Sequence, residues 1–176
     1  MPYDEAVGGI IAGRTASEMP GLDIAEQRSW QNFLEAALRL YGTLNRGIAD
    51  KHKLSLVDVR LLEILHRSET GAARMGDLAE QLLSLPSRVT RQIRRLETTG
   101  LVRREASPDD GRGVLAGITE EGRAVVEEAM VTYANAVREH YLGPLTRPQM
   151  SGMGENCRRI SAALRTTAPE AKFGRA

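Results

Sequence analysis

A chain of 176 residues with 24 basic and 23 acidic side chains carries a formal charge of only +1, so it is not a polycation that coats nucleic acid through bulk charge. It is long enough to bury a core, as one domain or one domain with an appended interaction region. Cys157 stands alone, which excludes an internal disulfide and a cysteine-based zinc cluster; no apolar run nears the ~18 residues of a membrane span and no signal peptide opens the chain, so a cytoplasmic protein is expected.

Residues 1–23, with Gly8-Gly9, Gly13, Pro20 and Gly21 and little periodicity, are expected to form a flexible arm. From Ala25 to Asp50, Trp30, Leu34, Ala37, Tyr41, Leu44 and Ile48 step by threes and fours, which predicts a helix of about 37 Å. That exceeds what a small domain needs, so residues 24–53 are assigned to dimerisation. Ser55 with Asp58 three positions on predicts a capped start for the next helix, and Leu54 with Val59 forms its hydrophobic staple. A short helix from Arg74 to Ser84 follows, with the small Ala79 where two helices cross closely. Leu83-Ser84-Leu85 then stands where a glycine and a polar cap are usual, leaving either Ser84 to cap from one position early or the next helix to start frayed.

The stretch Leu85 to Gly100 organises the rest. Val89, Ile93 and Leu96 share one helical face, and the opposite face carries Ser87, Arg88, Thr90, Arg91, Arg94 and Arg95. Pro86 suits the first turn and Gly100 a left-handed stop, with Leu101 back against Leu96. Arginine forks fit phosphate oxygens and the guanine edge. By itself such a face is more often a solvated surface, but its neighbours favour a DNA major groove. The pair of helices reads as a helix-turn-helix. After it, Leu101–Ala106 and Val114–Ile118 read as strands around an Asp110-Gly111 turn, a hairpin with Arg112 beside its tip. A hairpin in that position is a wing, suited to setting Arg112 into the narrow minor groove. From Pro86 to Gly113 there are seven arginines against four acids, so the positive charge is local.

Thr119 caps a further helix whose stripe is Val126, Ala129, Met130, Tyr133, Val137 and Tyr141, closed by Gly143-Pro144. The last helix, about Arg147 to Arg165, carries Met150, Met153, Cys157, Ile160 and Leu164 at the spacing of a coiled-coil seam, so Cys157 is expected to pack rather than react. Residues 119–168 thus hold two C-terminal helices, and 169–176 are expected to form a tail. His52, His66 and His140 each stand without a paired carboxylate or cysteine motif, and no phosphate loop or nucleophile elbow is present, so neither an enzyme nor a metal or cofactor is expected.

The order helix, helix, helix-turn-helix, wing, two long helices resembles the MarR family of bacterial transcription factors. The residues carrying the resemblance are Asp77-Leu78-Ala79, Pro86-Ser87-Arg88-Val89-Thr90-Arg91, Arg95-Leu96-Glu97-Thr98-Thr99-Gly100-Leu101-Val102-Arg103-Arg104 and Pro108-Asp109-Asp110-Gly111-Arg112. The resemblance implies a mainly α (α+β) protein: a winged helix-turn-helix lobe over 54–118, with the recognition helix at about 85–99 and the wing at about 101–118, on a long-helix dimerisation region made of the helix in 24–53 and the C-terminal helices in 119–168. It implies a homodimer on a pseudo-palindromic double-stranded DNA operator, a ligand-responsive repressor. Ser87, Arg88, Thr90 and Arg91 fall at bases or adjacent phosphates, Arg94 and Arg95 nearer the backbone, and Arg112 at the minor groove with Asp110 and Gly111 supporting it. A small aromatic or anionic effector is implied between the dimer helices and the lobe, where Trp30, Tyr41 and His66 are the candidate lining. The alternative is a winged-helix protein–protein adaptor without DNA contact.

Overall fold

The computed structural model describes residues 19–106 and 113–167. Helix α1 spans Ile24–His52, 29 residues and about 43 Å. Its start is a capping box: the Asp23 carboxylate accepts from the Glu26 N–H at 2.9 Å and the Glu26 carboxylate from the Asp23 N–H at 2.8 Å. Helix α2, Leu56–Arg67, begins with the box expected of Ser55 and Asp58, and Leu54 and Val59 are both buried beside it.

The expected helix from Arg74 to Ser84 is shorter than its sequence suggests. Ala72–Arg74 form a strand, β1, and the helix that follows, α3, covers only Met75–Gln81. It ends because Leu83 adopts φ 49°, so that Leu83 N–H reaches Glu80 O at 3.0 Å and Ser84 N–H reaches Ala79 O at 2.9 Å. These are the two bonds of a Schellman stop, built on a leucine where glycine is the usual residue. Helix α4, Pro86–Thr98, follows at once; Leu85 is its cap residue and no side chain caps it, so Ser84 does not serve. Its own stop is a complete Schellman motif: Gly100, at φ 76°, donates to Glu97 O at 3.0 Å and Leu101 to Leu96 O at 3.0 Å.

Strands β2 (Val102–Ala106) and β3 (Val114–Ile118) pair antiparallel in the register Val102↔Ile118 to Ala106↔Val114, and β1 joins the other edge of β3 to give the order β1-β3-β2. Helix α5, Glu120–Val137, is capped by the Thr119 hydroxyl and runs into a single π-helical turn, Arg138–Leu142, before α6, Arg147–Thr167.

One core joins the lobe to the long helices. Leu61, Leu62 and Leu65 of α2, Leu78 of α3, and Val89, Ile93 and Leu96 of α4 are fully buried. Leu101, Val102, Ala116 and Ile118 close it from the hairpin, and Val126 and Ala129 of α5 with Leu44 and Ile48 of α1 extend it upward. Two polar ties reinforce the joint: Asn45 of α1 accepts from the Leu56 N–H at 2.9 Å, and His52 lies 2.8 Å from the Thr132 hydroxyl.

The apolar stripes at the two ends of the chain are uncovered. Trp30, Phe33, Leu34, Leu38 and Tyr41 on α1, and Met153, Ile160 and Leu164 on α6, are exposed, and so is Cys157. The packing expected for Cys157 is therefore not made within one subunit.

Candidate nucleic-acid interface

The amphipathic division of α4 is complete. Val89, Ile93 and Leu96 are each 0% exposed, while Ser87, Arg88, Arg91, Arg94 and Arg95 are exposed. Burial of that face fixes which side is left for solvent or a ligand. Among the described residues, Arg88, Arg91 and Arg94 enter no ion pair, so three guanidinium groups on successive turns are left without internal neutralisation. The first turn adds to them: no side chain caps it, and the positive end of a helix is a favourable place for a phosphate oxygen.

Two of the anticipated contact residues are engaged internally. Thr90 is half-buried and its hydroxyl donates to Pro86 O at 2.9 Å. Arg95 pairs with Asp58, which is 0% exposed. Burial alone would raise the Asp58 carboxyl, but hydrogen bonds from Ser55, Arg95 and Gln92 outweigh it and hold the group below its ordinary value.

The hairpin is strapped to the same helix. Arg104 Nε donates to Glu97 Oε2 at 2.7 Å, and Arg103 lies across Gly117, pairs with Glu105 and donates to Ile118 O at 2.9 Å. Asp110, Gly111 and Arg112, and the rest of 107–112, lie outside the described residues, as do positions 1–18 of the expected arm and the tail 169–176. The last strand pair, Ala106↔Val114, sets the base of that loop at the end of the sheet away from α5.

The candidate effector residues are not brought together within one subunit. His66 lines a cleft of about 280 Å³ between α2 and α5 with Glu63, Arg67, Val126, Glu127 and Met130. Its Nδ1 is buried without a hydrogen-bond partner among the described residues, and its Nε2 lies 3.8 Å from Glu127. Trp30 and Tyr41 do not line that cleft; Trp30 instead leans on Phe33, ring centres 6.0 Å apart.

Asp58, Gln92 and Glu97 are the residues of this region that sequence reasoning left out or saw only as a cap. A capping box marks Asp58, but nothing local pairs it with a residue 37 positions away.

Residues 54–114 match the MarR family. The chain is 33% identical over 87 residues to an HTH-type transcriptional regulator of Bacillus subtilis, YhbI, an alignment covering 49% of this chain and 55% of that protein; the chain thus matches about half the length of that relative. AbsC of Streptomyces coelicolor, a MarR family transcriptional regulator, superimposes with a TM-score of 0.79 at 30% identity, over 85% of this chain and all of that one. Sco3205 of the same organism, a MarR family regulator solved in complex with DNA, superimposes with a TM-score of 0.79 at 33% identity, over 85% of this chain and 95% of that one. Among the described residues no helix is long and apolar enough to cross a membrane. By its winged helix-turn-helix lobe, its long flanking helices and its identity to AbsC and Sco3205 over most of each chain, the chain belongs to the MarR family of transcriptional regulators.

Proposed function

We propose that the protein is a sequence-specific regulator that binds double-stranded DNA as a homodimer and represses by occupying a pseudo-palindromic operator. The observation that carries this is the outer face of α4, where Ser87, Arg88, Arg91 and Arg94 stand exposed opposite a fully buried face. Phosphate contacts supply most of the affinity and base contacts the specificity. Sco3205, at 33% identity, was solved in complex with DNA, which supports DNA as the partner of this chain. Arg112 adds a minor-groove contact from the wing.

The exposed stripes of α1 and α6 are the surfaces a second copy covers, and they hold the two α4 helices at the spacing of successive major grooves. The cleft at His66 takes a small aromatic or anionic effector: its walls Val126 and Met130 are apolar, and Arg67 at its edge offers a polar contact. An effector shifts DNA affinity only by binding the two dimer conformers unequally. No catalytic step is assigned, and the protein works in the cytoplasm.

Fluorescence anisotropy with a random-sequence duplex, at about 50 and 200 mM salt, tests the reading. A DNA reader binds and loses affinity steeply as salt rises. A protein–protein adaptor on the same fold shows no salt-dependent binding.

A further inference from the structure

The Asp58 carboxylate has two jobs, one for each oxygen. Oδ2 closes the start of α2, accepting from the Ser55 N–H at 2.7 Å and the Ser55 hydroxyl at 2.6 Å. Oδ1 faces away from that cap and takes donors from α4: Gln92 Nε2 at 2.9 Å and the Arg95 guanidinium. Gln92 and Arg95 are one turn apart, on the flank between the buried face of α4 and its arginine face. Asp58 is 0% exposed, and the Arg95 side chain is 52% exposed. The same end of α2 is tied to α1 by the bond from Leu56 N–H to Asn45. A continuous polar path therefore runs from the long first helix, through the start of α2, to the side of α4.

We propose that Asp58 is a positioning residue that fixes the roll of α4 on the lobe and withholds Arg95 from DNA, so that Arg95 acts as an anchor and not as a phosphate contact. The inference rests on the DNA-binding reading above. It separates Arg95 from Arg94, its neighbour in sequence, which has no ion-pair partner among the described residues. Two physical consequences follow. Each arginine that meets a phosphate adds about 0.9 to the steepness with which log affinity falls against log salt; an arginine held by an internal carboxylate adds nothing. A helix whose roll is no longer fixed loses base-edge geometry while keeping its charge, so specificity falls and general affinity does not.

The test uses the full-length protein and two probes: a random-sequence duplex, and the tightest duplex selected from a random pool by the wild-type protein. Binding of both is measured across salt. Arg94→Ala is expected to lower the salt slope by about 0.9 per subunit, and Arg95→Ala to leave it unchanged. Asp58→Asn keeps the shape but removes the charge that holds Arg95. It is expected to raise the slope by about 0.9 per subunit and to narrow the preference for the selected duplex about tenfold. Combining Asp58→Asn with Arg95→Ala returns the slope to the wild-type value, a reversal that a loss of folding alone does not produce. A drop in slope for Arg95→Ala equal to that for Arg94→Ala overturns the proposal, and that single variant suffices even if Asp58→Asn does not fold. Wild-type protein that binds neither duplex removes the DNA reading itself, and the inference with it.

Discussion

Gly122 decides whether the hairpin and the helix after it can lie as close as they do. It is the third residue of α5 and is buried, and its N–H donates to the Thr119 hydroxyl at 3.0 Å. A Cβ built there falls inside contact distance of the Leu101 carbonyl oxygen, 3.1 Å from the Leu101 carbonyl carbon and 2.9 Å from Ile118 Cγ1. The first neighbour is backbone and cannot rotate away. Helix propensity alone predicts that Gly122→Ala stabilises by about 1 kcal/mol. Against that stands overpacking at about 1–3 kcal/mol. Separating the two segments also stretches the bonds from Thr119 N–H to Leu101 O, 3.1 Å, and from the Thr119 hydroxyl to Gly100 O, 2.7 Å. Each of those contributes about 0.5–1.5 kcal/mol. The balance is a loss of about 3 kcal/mol, or roughly 6–12 °C in midpoint for a chain of this size. Thermal unfolding followed by circular dichroism reads it directly. A variant whose midpoint is unchanged or higher refutes the packing argument.

Leu83→Gly has the opposite sign. The left-handed leucine costs about 1–2 kcal/mol and glycine returns about 0.5–1 in chain entropy, and Leu83 is 95% exposed, so nothing buried is lost. The midpoint rises by a few degrees, and a fall contradicts the strain. Arg91→Ala reduces binding of a selected duplex about tenfold more than binding of a random one, because Arg91 lies on the outward face of α4; equal losses assign it to phosphate. Asp58 makes the protein acid-sensitive. Its folded-state carboxyl lies below the ordinary value near 3.8, so its contribution is full above that value and is lost as pH falls through the lower folded value. Denaturant midpoints of wild type and Asp58→Asn therefore converge below about pH 4 and separate above it; a constant gap across that range contradicts the assignment.

Much of the fold is legible because its signals are local. The Ser55 and Thr119 caps, the Gly100 stop and the buried triad of α4 each depend on residues within a few positions of one another, and each forms as the pattern implies. The start of α1 was equally local: Asp23-x-x-Glu26 is a capping-box signature, one residue earlier than apolar periodicity alone places the helix. What escaped is non-local. Ala72-Ala73-Arg74 favours helix by composition and becomes a strand only because Gly117, Ala116 and Leu115 of β3 lie opposite it. Leu83 takes a glycine's conformation because the crossing of α3 and α4, not its own preference, dictates the turn. At the interface, the face of α4 could be read from spacing, but the division of labour between Arg94 and Arg95 could not, since Asp58 reaches Arg95 only once α2 and α4 are packed.

The central claim is that two copies of α4 are held in register with successive turns of one duplex. Hydroxyl-radical footprinting of the protein on its selected duplex measures this most directly. Two symmetric protected regions are expected on one face of the DNA, centred about 10 base pairs apart, at two subunits per duplex. A single unpaired protected region, or one subunit per duplex at saturation, contradicts it.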